Sequence, residues 1–107
     1  MNNQGNLKVY PRVAIKTEDG RWVMCAGVAD LLEGIGETGS LYATCRRMQM
    51  AYSKGWSILR EAQEAYGEPY VTTYGAHGSK LTDVGATMLE KYREMEHRCE
   101  EACAGVL

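Results

Sequence analysis

Four cations, Arg46, Arg47, Lys54 and Arg60, stand between Ser40 and Arg60, and no Asp or Glu interrupts them. The surrounding protein is acidic, with a formal charge of −2 over 107 residues and a pI near 5.7. A polyanion responds to charges within a Debye length, about 8 Å at physiological salt, so local segregation outweighs the net value. Within this stretch Ser53, Lys54, Ser57 and Arg60 recur at helical spacing, opposite a face made by Gly55, Ile58, Leu59 and Ala62. Short hydroxyl donors and cations near the start of a helix are the groups that reach base edges and phosphates in a duplex major groove. Tyr52 is a candidate for DNA contact by stacking on a base, with core packing as the alternative, and Arg46 shares a face of the preceding helix with Tyr42; Trp56 is assigned to packing. Two further candidates for phosphate or minor-groove contact, His77 and Lys80, lie in a glycine-punctuated stretch downstream.

Other chemistries lack their residues. No convergent acid, base and nucleophile set or phosphate loop is present, so an enzyme is not expected. Cys99 and Cys103 with nearby His97 fall short of the four ligands of a structural zinc site, and neither metal nor cofactor is expected. The four cysteines read as free thiols. No run approaches the ~20 apolar residues of a membrane span, and the polar first six residues lack a signal-peptide pattern, which points to a cytoplasmic protein with no membrane partner.

The basic cluster needs a scaffold, and hydropathy patterning supplies one. Residues 8–25 predict a β-hairpin turning at Asp19-Gly20, because glycine accepts positive φ at little cost. Val28, Leu31, Leu32 and Ile35 then trace the stripe of a helix over 27–38. Gly39 ends it and Ser40 caps the next helix, so that 40–66 forms two helices about a short turn, closed by Gly67-Glu68-Pro69. Residues 70–81 predict a second hairpin, the wing, and Thr82 with Asp83 opens a last helix over 82–103. On that helix Val84, Met88, Tyr92, Met95, Cys99 and Ala102 recur at spacings of four and three, a seam of the kind that pairs helices. The acids Glu90, Glu94, Glu96, Glu100 and Glu101 accompany it, away from the basic face.

Taken together, Leu31-Leu32-Glu33, Glu37-Thr38-Gly39-Ser40, Tyr52 with Trp56, Leu59-Arg60-Glu61, Gly67-Glu68-Pro69 and Leu81-Thr82 give a chain that resembles the N-terminal DNA-binding domain of the molybdate-responsive ModE-type regulators. The resemblance spans the first hairpin to the last helix. It implies a single α+β domain over 1–107, a winged helix-turn-helix related to the LysR-type regulators, with an N-terminal β-hairpin and a long C-terminal dimerisation helix. The expected function is sequence-specific binding of double-stranded DNA by a homodimer that regulates transcription, with Met88, Tyr92, Met95 and Cys99 at the dimer interface. Three departures accompany the resemblance. Gln49 occupies a turn position where the family has glycine, the wing keeps only Gly75 and Gly78, and the chain ends at Leu107 before any molybdate-binding region. Molybdate binding is therefore not expected. The alternative reading is a protein-interaction module on the same scaffold, with a protein partner carrying the sensor function.

Overall fold

The apolar stripe of the first long helix is the nucleus around which the rest is arranged. The computed structural model describes residues 5–73 and 78–107 and places eight elements in the order β1 (Ile15–Lys16), β2 (Trp22–Met24), α1 (Ala26–Thr38), α2 (Leu41–Arg47), α3 (Tyr52–Tyr66), β3 (Val71–Thr73), β4 (Ser79–Leu81) and α4 (Asp83–Ala104). This is an α+β fold of four helices and two antiparallel hairpins among the described residues. Val28, Leu31, Leu32 and Ile35 of α1 are buried, as their i, i+3, i+4, i+7 spacing requires. Around them close Met24, Leu41, Cys45, Leu59, Ala62 and the two largest buried side chains, Tyr70 and Tyr92. Among the described residues no helix is long and apolar enough to cross a membrane.

The helix boundaries follow the capping chemistry. Gly39 and Gly67 take left-handed conformations at φ 74° and 92° and close α1 and α3 through N–H bonds to Ile35 and Gln63. Ser40 Oγ accepts from the Ala43 N–H at 3.0 Å, and Thr82 Oγ1 accepts from the Gly85 N–H at 3.0 Å. Tyrosine hydroxyls inside the core are satisfied by backbone. Tyr70 donates to the Val23 carbonyl at 2.9 Å, and Tyr92 donates to the Val13 carbonyl at 2.7 Å.

The first hairpin is shorter than the span 8–25. Only Ile15 and Lys16 pair, opposite Met24 and Trp22, with an irregularity between them. Residues 5–14 form no strand. Val13 instead gives its carbonyl to Tyr92 of α4, and Pro11 has no N–H to offer a ladder. The turn is also wider than Asp19-Gly20 alone. Thr17 donates to the Arg21 carbonyl and accepts from the Gly20 N–H, closing a loop over residues 17–21 in which Gly20 takes φ 90°.

The second hairpin pairs Val71 with Leu81, Thr72 with Lys80 and Thr73 with Ser79. Its return strand is fastened to the corner between α1 and α2. The Ser79 N–H donates to the Gly39 carbonyl at 2.8 Å, and the Leu41 N–H donates to Ser79 Oγ at 3.3 Å. Thr44 Oγ1, fully buried, donates to the Ser40 carbonyl at 2.8 Å and lies 3.0 Å from Thr38 Oγ1, so the polar groups of this corner satisfy one another. At the entry to β3, Gln63 Oε1 accepts the N–H groups of both Tyr70 and Val71 at 2.8 and 3.1 Å. On α4, Arg93 reaches across to Asp30 and Glu33 of α1 at 3.0 and 2.8 Å and also pairs with Glu96 at 2.9 Å.

Burial of Tyr70, with the ring of Tyr66 at 5.8 Å, pushes its phenol up to about 12. A phenol is neutral when protonated, so this raised value favours the fold fully below pH 10. The contribution is lost between about pH 10 and 12, where the unfolded chain ionises first. Thermal melts across that window should show a falling Tm, and Tyr70→Phe should show a shallower fall. Parallel pH profiles for the two proteins would exclude Tyr70 as the source.

Candidate nucleic-acid interface

The basic stretch lies on α2, the turn after it, and the first turns of α3. The turn is a Schellman arrangement. The Met50 N–H bonds to the Cys45 carbonyl at 2.8 Å, the Gln49 N–H bonds to the Arg46 carbonyl at 3.1 Å, and Gln49 sits between them at φ 56°. Gln49 is the one positive-φ residue other than glycine among the described residues. The turn position that departs from the ModE-type pattern therefore keeps the left-handed backbone a glycine would give it.

The two helices then cross closely. A Cβ added at Gly55 would meet Cys45 Sγ at 2.4 Å, and one added at Gly34 would meet Thr44 Cγ2 at 2.3 Å, so small residues set both approaches to α2. Burial raises the Cys45 thiol above its ordinary range, which keeps it protonated and inert in this contact. Leu59 and Ala62 are buried beside Gly55, and Trp56 and Ile58 pack partly against the same core. That leaves Ser53, Lys54 and Arg60 exposed and Ser57 half-buried on the opposite side of α3.

The start of α3 departs from the usual helix rules in a single direction. Ala51 occupies the N-cap with no side chain to accept the orphan amides, and the first turn holds no acid but does hold Lys54. A cation at the positive end of a helix dipole is unfavourable by a few tenths of a kcal/mol to about 1 kcal/mol, unless an anion arrives from outside. By contrast α4 begins with a bonded Thr82 and with Asp83. Next to the α3 terminus the Arg46 guanidinium lies 5.9 Å from the Tyr42 ring centroid, and the Tyr42 and Tyr52 rings are 6.4 Å apart at 48°. Both rings are more than one-third exposed. Arg46, Tyr42 and Tyr52 thus form one aromatic and cationic surface that straddles the turn.

Among the described residues, cations without an ion pair lie on this surface and elsewhere, Lys91 of α4 and Arg12 and Arg21 near the first hairpin included. Arg46, Lys54, Arg60 and Lys80 make no ion pair among the described residues, whereas Arg93 and Arg98 of α4 are bound to carboxylates. Arg47 differs from these in pairing with Glu37 at 2.8 Å, a contact exposed on both sides. The basic surface is also bounded. Glu61 and Glu64, further along α3, line a shallow depression with Arg21 and Trp22 of the first hairpin. Lys80 is exposed on β4, on a strand fastened at the α1–α2 corner rather than against α3. His77, together with Gly75, lies outside the described residues.

No protein-family model and no curated protein matches the chain.

The seam on α4 divides differently from its spacing. Tyr92 is fully buried in its own core and is not an interface residue. It lies at the centre of the contact between α4 and the strandless N-terminal segment, where its hydroxyl is bonded to Val13. Val84 and Met88 are half-buried against the same core. Met95 is 40% exposed and Met88 and Cys99 are partly exposed, so of the expected seam only Tyr92 is closed to a partner. Met95 opens onto a groove it shares with Thr87, Lys91, Glu94 and Arg98. His97 pairs with Glu101 at 3.1 Å instead of facing Cys99 and Cys103.

Proposed function

We propose that the protein is a sequence-specific duplex-DNA-binding transcription regulator of winged helix-turn-helix layout, related to the DNA-binding half of ModE-type regulators and acting as a homodimer. In this reading α2 and α3 are the helix-turn-helix, α3 enters the major groove by its first turns, and β3 with β4 is the wing. The observation that carries it is the start of α3. A helix terminus with no side-chain cap and no acid in its first turn presents Lys54, and the Arg46–Tyr42–Tyr52 surface adjoins it across the turn. That surface suits an external anion, and phosphates at a groove edge supply one while the hydroxyls of Ser53 and Ser57 face the bases. Dimerisation through α4 places two recognition helices about one DNA turn apart.

Anisotropy titrations of labelled genomic fragments test the proposal. With about six phosphates neutralised per dimer, log K should fall with log salt at a slope near −5. Absence of binding at low salt would overturn it, and a stoichiometric protein partner whose capture survives Lys54→Glu would favour an interaction module instead.

A further inference from the structure

Gln49 has no role in the protein that accounts for its being glutamine. Its backbone closes the Schellman turn through an N–H bond that glycine would make equally well. At φ 56° a side chain is disfavoured, and glycine or asparagine is the ordinary occupant. The side chain is exposed and takes part in no hydrogen bond among the described residues. Its site is nonetheless specific, three residues after Arg46 and three before Tyr52, on the turn that leads into α3.

We propose that Gln49 is a specificity-determining residue whose carboxamide reads a base edge in the major groove next to the start of α3. This rests on the DNA-binding proposal and deepens it. A carboxamide carries one acceptor and one two-hydrogen donor side by side, the pair that matches the N6 amino group and N7 of adenine. It has no charge, so it adds nothing to phosphate neutralisation and would be a poor choice for that task. Adenine at one position of each half-site is the base this chemistry selects. A strained backbone kept at an exposed turn fits such a use, because local strain collects where a side chain must be aimed.

The experiment compares the wild-type protein with Gln49→Gly and Gln49→Asn. Each is melted, used to select binding sequences from randomised duplexes, and titrated with the wild-type consensus. Gln49→Gly should melt about 4–8 °C higher, the shift that relief of roughly 1 kcal/mol brings to a domain of this size. It should lose about tenfold or more in affinity for the consensus and select sequences indifferent at one position where the wild type demands adenine. Its salt slope should be unchanged. Gln49→Asn keeps the amide and tolerates the backbone, but is one methylene shorter and should lose the same preference. Identical selected sequences and affinity for Gln49→Gly would overturn the proposal, as would a Gln49→Gly protein less stable than wild type, which would assign the glutamine to the fold. If the wild type enriches no duplex, both this proposal and the DNA-binding proposal fall; if it enriches one and Gln49→Gly keeps every base preference of the wild type, only this one does.

Discussion

Replacing Lys54 and Arg60 together by glutamate is expected to weaken duplex-DNA binding at least a hundredfold without unfolding the protein. Both side chains are exposed and neither makes an ion pair among the described residues, so the fold loses no contact. Each cation on a phosphate is worth about 1.4 kcal/mol or more, a factor of ten apiece, and reversal of sign adds repulsion. The salt slope should become shallower by about 1.8 per subunit, since two fewer counterions are released. The matched control is Arg12→Glu with Arg21→Glu, the same change of charge at two exposed cations outside α3 and α4, which should cost far less affinity. Anisotropy titrations over a range of salt, with circular dichroism to confirm folding, measure both. Wild-type affinity in the Lys54 and Arg60 double variant would remove α3 from the interface.

Gly85→Ala is expected to cost more stability than any other single methyl addition among the described glycines. A Cβ there would stand 2.1 Å from the Tyr70 carbonyl oxygen and 2.8 Å from its carbon. That carbonyl cannot retreat easily, because it accepts the Thr82 N–H at 3.0 Å and Tyr70 is fully buried with its hydroxyl held at the far end. At Gly55 the obstacle is a single Sγ, which a side chain can move, whereas at Gly85 it is backbone. Overpacking of this kind costs about 3 kcal/mol, which lowers Tm by roughly 12 °C or more. Gly27→Ala, also on a helix, has nothing within 4 Å of the added carbon and should stabilise by up to about 1 kcal/mol. Melting the two variants beside the wild type separates close approach from helix propensity. Equal and small shifts would show that α4 can move away from Tyr70.

Much of the architecture was legible one element at a time. The period of Val28, Leu31, Leu32 and Ile35, the caps at Ser40 and Thr82, and the stops at Gly39 and Gly67 are local properties. A helix stripe or a left-handed glycine is decided within four or five residues of chain. The Glu94–Arg98 pair at 2.8 Å is of the same kind. What failed was assignment of partners. Tyr92 fits a helix-pairing seam by spacing, but spacing cannot say whether that face meets a second chain or its own N-terminal segment. Val13 read as strand because its neighbours alternate, yet its carbonyl is taken by a tyrosine 79 residues away. Arg47 counts toward the basic stretch, but its pairing with Glu37, ten residues upstream, at 2.8 Å could not be read from spacing.

The sequence by itself determined that acids are absent between Ser40 and Arg60, and that Ser53, Lys54, Ser57 and Arg60 share a helix face opposite Gly55, Leu59 and Ala62. Those facts need only composition and a period of 3.6 residues. The tertiary structure alone decided which cations remain unpaired and how the Tyr42 and Tyr52 rings meet across the turn. It also decided that Tyr92 is closed to a partner while Met95 beside it is exposed. The physical reason is that ion pairing, ring contacts and burial depend on distances between residues far apart in sequence, and a one-dimensional pattern carries no such distances.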